Sequence, residues 1–265
     1  MEYTNIIKLG GSIITDKQSG QPILRTRRIR QLAGEIAQAR KKQPALRLVL
    51  LHGAGSFGHP LAHRYRLCGR PLSSDTFVAM GRTINSTRTL GTYLSRELLK
   101  ADIPVVPLQT SSCVRMRLGR VCIADMSMIE EILKHGGVPL LGGDVVLSDR
   151  EESAIVSADA LVVELARRLD RPRLFFASDV AGVYATFPPR GREHPLERLD
   201  RATIQNILAT SASHGTRTDV TGAMHGKLQA LLALRGVSAF IFNGNSRGSM
   251  LAALAGEPMG TAVVL

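Results

Sequence analysis

Residues 46–65 read LRLVLLHGAGSFGHPLAHRY, and this stretch predicts a fold as well as a site. Residues 48–51 form an apolar run with the length of one buried strand. Residues 52–58 contain three glycines and a serine, a composition that disfavours both a strand and the interior of a helix. Such a loop lets backbone N–H groups approach a ligand, and a helix after Pro60 would point its positive end at an anion. The stretch therefore predicts a phosphate site with a histidine on either side.

A glycine-rich loop is weak evidence by itself, because an ordinary tight turn between a strand and a helix has the same composition. Two other predicted strands, however, also end in small residues. The strand at residues 5–9 carries Lys8 and runs into Gly-Gly-Ser, and the strand at 138–141 runs into Gly-Gly followed by Asp144. Lys8 is placed either to neutralise a phosphate or to lie in solvent at a sheet edge. Asp144 is placed to hold lysines or a metal ion, or merely to cap a turn.

Strands and helices alternate along the rest of the chain. Apolar residues recur at helical spacing in segments 28–41, 73–100, 127–135 and 157–169, and a further helix is predicted to start at Lys227. Alternation of this kind predicts an α/β fold, a three-layer αβα sandwich with a mostly parallel central sheet. The 265 residues contain no linker or repeat, so we expect a single domain over residues 1–265.

Composition narrows the class of protein. No apolar run is long enough to span a bilayer, and the first residues lack the pattern of a signal peptide. Cys68, Cys113 and Cys122 lack metal-ligand spacing and suit a reducing compartment, so a cytoplasmic location without membrane contact is expected. The net charge is +12, but the basic residues are dispersed and not interleaved with aromatic side chains. We therefore expect anionic small-molecule substrates rather than nucleic acid.

Together these features point to phosphoryl transfer. This reaction needs two phosphates aligned and their charge neutralised, and little covalent help from the protein. Neither the Walker motif nor the protein-kinase signatures occur, and no Ser–His–Asp pattern is present. The sequence therefore predicts a kinase of another design, in which the candidate groups are Lys8, Lys17, His59, Asp144 and Lys227.

Six segments, taken in order, resemble the amino acid kinase superfamily and, within it, the isopentenyl phosphate kinase family. They are IIKLGGSIITDK, HGAGSFGHP, LLGGDVV, SDVAGVY, DVTGAMHGKL and FNG. The resemblance covers essentially the whole chain, and its most specific residue is His59, because relatives acting on carboxylates or carbamate lack a histidine there. It implies ATP-dependent phosphorylation of isopentenyl phosphate with Mg²⁺, by a homodimer. It also implies that residues from 1 to about 150 form an acceptor lobe and those from about 151 to 265 a nucleotide lobe.

The resemblance assigns roles to single residues of this sequence. The catalytic set it implies is Lys8, Lys17, His59, Asp144 and Lys227, with Asp144 orienting the lysines and no protein metal ligands. The ATP contacts it implies are Lys8, Gly10, Gly11, Ser12, Gly55, Asp179, Gly222 and Lys227. The acceptor phosphate would be held by Ala54, His59 and Ala158. Ala54 and Ala158 stand where glycine is common, and Ala181 replaces a frequent aspartate in the nucleotide loop.

The substrate's organic tail should point toward the helix predicted at residues 73–100. Its apolar stripe Phe77, Met80 and Ile84 is a candidate tail pocket, closed from the sheet side by Ile155 and Val156. Ordinary core packing explains the same stripe. Two other functions remain open at this point: a kinase for another small phosphate or phosphonate such as fosfomycin, and a non-catalytic nucleotide-sensing domain.

Overall fold

The structure, a computed structural model, describes residues 3–16, 19–185, 193–213, 219–257 and 259–265. The strands in these ranges are β1 (Thr4–Leu9), β2 (Thr15–Asp16), β3 (Ile23–Leu24), β4 (Arg47–His52), β5 (Arg70–Pro71), β6 (Val105–Pro107), β7 (Val114–Arg117), β8 (Arg120–Ile123), β9 (Val138–Gly142), β10 (Asp144–Leu147), β11 (Glu152–Val156), β12 (Pro172–Ser178), β13 (Arg198–Leu199), β14 (Ser238–Asn243) and β15 (Thr261–Val264). The helices are α1 (Gly11–Ile14), α2 (Thr26–Lys42), α3 (Gly55–Arg64), α4 (Ser74–Leu99), α5 (Thr110–Cys113), α6 (Ser127–Lys134), α7 (Ala158–Arg168), α8 (Arg201–Ser213), α9 (Asp219–Leu231) and α10 (Ser249–Ala255).

The main sheet has eight strands in the order β13-β15-β14-β12-β1-β4-β9-β6. Neighbouring strands are parallel, apart from the antiparallel pair β14 and β15. β1 lies at the centre, and its last residue, Leu9, is in register with His52 of β4 and Ala177 of β12. Because parallel strands end at the same edge, the loops that follow β1, β4, β9 and β12 meet at one place.

Both faces of this sheet are covered, which confirms the predicted three-layer α/β fold. Along β1, Ile6 belongs to one buried cluster, whereas Ile7 and Leu9 belong to a second cluster on the other face. The first cluster includes residues of α7 and α9, and the second includes residues of α2, α4 and α10. The same alternation separates Phe176 in the first cluster from Phe175 in the second.

Two expectations about local structure need correction. α3 begins at Gly55 rather than after Pro60, so His59 and Pro60 lie inside a helix. Gly55 can start this helix because a glycine adopts its φ of +50° without a steric clash. α9 begins at Asp219, so Lys227 lies in the helix interior and not at its start. Residues 114–123 and 144–156 add antiparallel hairpins outside the main sheet.

Within the described part of the chain, no helix combines the length and the apolar character needed to cross a membrane.

Candidate active site

A cavity of about 290 Å³ opens at the edge where the central strands end. Most of the residues predicted from the sequence border it. Those on its wall are Lys8, Gly10, Gly11, Ser12, Ala54, His59, Asp144, Ala158, Asp179 and Lys227. They come from six different parts of the chain, and the sheet helps to bring them together because it aligns the carboxyl ends of its strands.

The glycine turns have a packing role that the sequence did not reveal. A Cβ atom on Gly11 would lie 2.7 Å from the Gly55 Cα atom, and one on Gly53 would lie 2.7 Å from the Gly11 nitrogen. The loops after β1 and β4 therefore touch backbone to backbone, which no larger residue permits. Gly55 itself does not border the cavity; the next residue, Ser56, donates its backbone N–H to Thr15 Oγ1 at 3.1 Å. Close loop packing thus explains part of the glycine pattern without any ligand.

Two lysines share one carboxylate at one end of the cavity, which we call the lysine end (Lys8, Asp159 and Lys227). Lys8 Nζ donates to Asp159 Oδ2 at 3.2 Å, and Lys227 Nζ donates to Asp159 Oδ1 at 2.9 Å. Asp159 lies in the first turn of α7, where Ser157 Oγ accepts a hydrogen bond from the backbone N–H of Ala160. β1, α7 and α9 thereby hold three charged groups in contact.

The charges of these groups depend on each other. Burial by itself would raise the pKa of Asp159, but the Lys227 and Lys8 ammonium groups outweigh it and hold this pKa at about 2. Burial lowers the pKa of Lys227 to about 8, Asp159 opposes this change, and the positive charge of Lys8 adds to it. Lys227 is therefore charged at neutral pH, and its proton is lost more easily than that of an exposed lysine.

Asp144 was expected to orient the lysines, but among the described residues it is hydrogen-bonded to neither Lys8 nor Lys227. Its carboxylate accepts hydrogen bonds from Thr87 Oγ1 at 2.9 Å, Gln109 Nε2 at 2.7 Å and the backbone N–H of Val145 at 2.9 Å. Burial raises the pKa of Asp144, and these neutral donors only partly oppose that change. Asp159 takes the predicted role instead. Its signal in the sequence was a carboxylate in the first turn of a helix that follows a strand.

Of the two histidines that flank the glycine loop, His52 and His59, only His59 faces the cavity. His59 is an exposed residue of α3 on the cavity wall. His52 ends β4 and is buried against Gly142, where burial lowers its pKa to about 4. His52 is therefore neutral at physiological pH, and the predicted proton-bearing group beside the cavity is His59.

A second part of the cavity wall, away from the three charged groups, is called the acceptor end here. Its residues from α4 are not the ones predicted from the sequence. Thr83 and Thr87 of α4 border it, together with Ile155 and Val156 of β11 and Val145 of β10. The predicted sheet-side wall, Ile155 and Val156, is thus present.

The predicted apolar stripe of α4 is not on the cavity wall. Met80 is buried in a separate small cluster against which Ile84 packs, and the side chain of Phe77 is 51% exposed. Core packing therefore explains Met80 and Ile84. The face of α4 that meets the cavity carries threonines, which an apolar pattern does not detect.

Lys17 and Gly222 are the remaining predicted site residues. Lys17 lies outside the described residues. Gly222 lies in the first turn of α9. Among the residues that the structure describes, no group of three or more His, Cys, Asp and Glu side chains is arranged to hold a metal ion.

Comparison with known proteins gives one consistent result. The family model described as "Amino acid kinase family" matches residues 4–243. Proteins named isopentenyl phosphate kinase are 37% identical in Methanothermobacter thermautotrophicus and 33% identical in Methanocaldococcus jannaschii, and these matches cover 95% and 97% of both chains, respectively. A solved structure of isopentenyl phosphate kinase superposes with a TM-score of 0.82 at 32% identity, over 98% of this chain and 100% of that one. The chain belongs to the amino acid kinase family.

Proposed function

We propose that this protein is an isopentenyl phosphate kinase, which transfers the γ-phosphoryl group of ATP to isopentenyl phosphate and forms isopentenyl diphosphate and ADP. The observation that carries the proposal is the presence of His59 and the Lys8–Asp159–Lys227 group on the wall of one cavity. The names of relatives with 33 to 37% identity over nearly the whole chain support it.

The reaction requires that the negative charge of the two phosphates be neutralised, and it requires no general base. The second pKa of a phosphate ester is about 6, so an oxygen of the acceptor phosphate is already ionised at neutral pH. This oxygen attacks the γ-phosphorus, and the bond from the γ-phosphorus to the bridging oxygen breaks with its electron pair leaving on ADP. No proton has to be removed. The protein therefore needs cations and N–H donors around the two phosphates.

The cavity supplies these groups. Lys8 and Lys227 would meet the charge on the transferred phosphoryl group, and His59 would donate a hydrogen bond to the acceptor phosphate. Gly10, Gly11 and Ser12 follow β1 on the same wall, where their backbone would lie close to a bound nucleotide phosphate. These roles follow the family resemblance and fit the positions of the side chains.

Mg²⁺ would enter with the nucleotide. It would neutralise charge on the β- and γ-phosphates. Mg²⁺ commonly keeps several waters and takes only one or two carboxylates beside substrate phosphates. Asp179 borders the cavity, and we assign it to the part of the wall that meets the nucleotide.

The acceptor end suits a short branched hydrocarbon. Val145, Ile155 and Val156 form an apolar wall, and the Thr87 hydroxyl is already engaged with Asp144. Such side chains can cover an apolar tail without leaving a buried polar group unpaired.

One assay tests the proposal. The purified protein is given ATP and Mg²⁺ with isopentenyl phosphate, dimethylallyl phosphate, geranyl phosphate or fosfomycin, and ADP formation is followed for each. We expect the highest kcat/KM with isopentenyl phosphate. Lys227→Met, purified in the same way, is the control: the ADP formed in its presence measures contaminating kinase activity and is subtracted. A preference for fosfomycin, or ADP release with none of the four, would overturn the proposal.

The homodimer implied by the resemblance is also part of the proposal. Sedimentation equilibrium that gives twice the 28.6 kDa chain mass would support it, and a monomer at the enzyme concentrations of the assay would contradict it.

A further inference from the structure

The Lys227 ammonium group lies over an aromatic ring. Its Nζ atom is 4.7 Å from the ring centroid of Phe176. We propose that Phe176 is a positioning residue for Lys227, whose ring face holds the ammonium group in the direction of the transferred phosphoryl group. The kinetic consequence of this role rests on the proposed function, whereas the contact itself does not.

The sheet register explains why the ring is there. Lys8 of β1 and Phe176 of β12 are paired residues on adjacent parallel strands, so their side chains leave the same face of the sheet side by side. α7 and α9 cover that face and supply Asp159 and Lys227. The ammonium group of Lys227 therefore has a carboxylate on one side and the Phe176 ring on another. Both Phe176 and Lys227 are buried, at 1% and 4% exposure.

A ring and a carboxylate hold an ammonium group differently. A lysine has three N–H donors, and one of them goes to Asp159 Oδ1. A second carboxylate in place of the ring would cancel the positive charge that the reaction needs. The ring face attracts the cation through its quadrupole and accepts no proton, and this attraction is strongest where water is excluded. Phe176 thereby fixes the direction of Lys227 while the full charge stays available to a phosphate.

The other charged groups around Lys227 stay in place when the ring is changed. Asp159 faces it from α7 and Lys8 faces it from β1. Asp179, Asp144 and His59 are the further ionisable side chains on the wall of the same cavity among the described residues. Loss of the ring should therefore remove one stabilising contact of the ammonium form and lower the pKa of Lys227 below its value of about 8.

The neighbouring residue provides a matched control. Phe175 lies on the same strand and is also 1% exposed, but its side chain leaves the opposite face and stacks on Phe240 with ring centroids 5.6 Å apart. Leucine at either position removes a buried ring from the same strand. Only the ring at position 176 contacts the ammonium group.

The first experiment compares Phe176→Leu with Phe175→Leu. Both variants should lose thermal stability to a similar extent, because each truncates a buried ring. Phe176→Leu should lower kcat by about tenfold with smaller changes in KM, as expected for the loss of a desolvated cation–π contact that acts on the transition state. In Phe176→Leu, the fall of kcat/KM at high pH should also begin at a lower pH than in the wild type. Phe175→Leu should keep the wild-type kcat and pH profile. An equal loss of kcat in both variants, or in neither, would overturn the inference.

A second experiment keeps the shape of the core. Phenylalanines with increasing numbers of ring fluorines are incorporated at position 176 or at position 175. Fluorine withdraws charge from the ring face and leaves its outline nearly unchanged, so kcat should fall stepwise at position 176 and stay constant at position 175. A constant kcat at both positions would contradict the cation–π contact even if the leucine variants do not fold.

A readout without substrate separates this inference from the proposed function. The Lys227 side-chain signal in lysine-labelled protein, assigned by its loss in Lys227→Met, is titrated by NMR in the wild type and in both leucine variants. A lower pKa in Phe176→Leu alone supports the inference even if the wild type phosphorylates none of the acceptors. The same pKa in all three proteins refutes it even if the kinase assay succeeds.

Discussion

The two ends of the cavity each contain an aspartate, and the two carboxylates respond to the protein in opposite ways. At the lysine end, Asp159 lies between Lys8 and Lys227 and its pKa falls to about 2. At the acceptor end, Asp144 accepts hydrogen bonds from Thr87, Gln109 and a backbone N–H, and burial raises its pKa. The same residue type thus accepts hydrogen bonds from two ammonium groups at one end and from neutral donors at the other.

This difference follows from what each end has to bind. Two ammonium groups repel each other strongly where water is scarce, so Lys8 and Lys227 approach one site only because Asp159 lies between them. An apolar substrate tail would gain nothing from such charges. The two lysines therefore lie at the end where phosphates react, and the described residues of the acceptor end include no lysine or arginine.

The largest effect should come from the lysine end itself. We expect Lys227→Met or Lys8→Met to lower kcat by about a thousandfold and to change KM far less, because each lysine meets charge that builds up in the transition state. Steady-state kinetics measures both constants. Lys134→Met, at a lysine with a 69% exposed side chain, is the control. An effect confined to KM would mark these lysines as ground-state binders.

Loss of His59 should be the next largest effect. His59→Ala removes a donor to the acceptor phosphate and should lower kcat by about a hundredfold without a loss of folding. His59→Asn and His59→Gln should retain part of the activity, because a neutral donor remains. His63→Ala is the matched control, since His63 is an exposed residue one turn later in α3 and away from the cavity wall. Wild-type turnover in His59→Ala would remove this residue from the mechanism.

Exchanging each aspartate for asparagine tests the comparison directly. Asp159→Asn leaves two buried ammonium groups without a counter-charge and should cost about 3 kcal/mol of unfolding free energy at pH 7. Because the folded pKa of Asp159 is lowered to about 2, its stabilisation is complete above its unfolded value and is lost as pH falls toward 2. Asp144 has a raised pKa, so ionising it at neutral pH opposes folding.

We therefore expect Asp144→Asn to change stability by less than about 1 kcal/mol, because the amide oxygen still accepts from Thr87 and Val145. Urea denaturation at pH 7 and pH 3 measures both variants. Activity gives a second readout. kcat/KM of the wild type should fall above about pH 8 as Lys227 loses its proton, and this limb should move to lower pH in Asp159→Asn only. If the fall of kcat/KM also moved to lower pH in Asp144→Asn, Asp144 would affect the pKa of Lys227, and the charges of the two ends would not be independent.

The smallest effect is expected at the apolar wall. Ile155→Ala should raise the relative kcat/KM for geranyl phosphate several-fold, because it enlarges the acceptor end, and it should barely change the melting temperature, because Ile155 is already 36% exposed. Phe77→Ala is the control, since Phe77 is exposed and away from the cavity. If kcat/KM for geranyl phosphate rose in Phe77→Ala but not in Ile155→Ala, the tail would bind against the apolar stripe of α4 that the sequence predicted.

Local patterns in the sequence predicted much of this molecule. The apolar run before His52 is β4, and the helical spacing from residue 73 is α4. Four candidate site residues were predicted from their side-chain chemistry and their position near strand ends or glycine turns. All four border one cavity: Lys8, His59, Asp144 and Lys227. These predictions succeed because the periods of strands and helices are local, and because parallel strands end at a common edge.

Which side chains meet across the cavity was decided by tertiary structure alone. Asp144 follows a predicted strand and Asp159 lies at the start of a predicted helix, but Asp144 starts a strand of a separate antiparallel sheet, whereas α7 packs on β1 and α9 and brings Asp159 to the lysines. Phe176 reaches Lys227 because the register of β1 and β12 places it beside Lys8. Residue type and periodicity determine the chemistry a chain carries. Sheet register and helix packing connect residues distant in sequence, and these contacts determine the charge on each group.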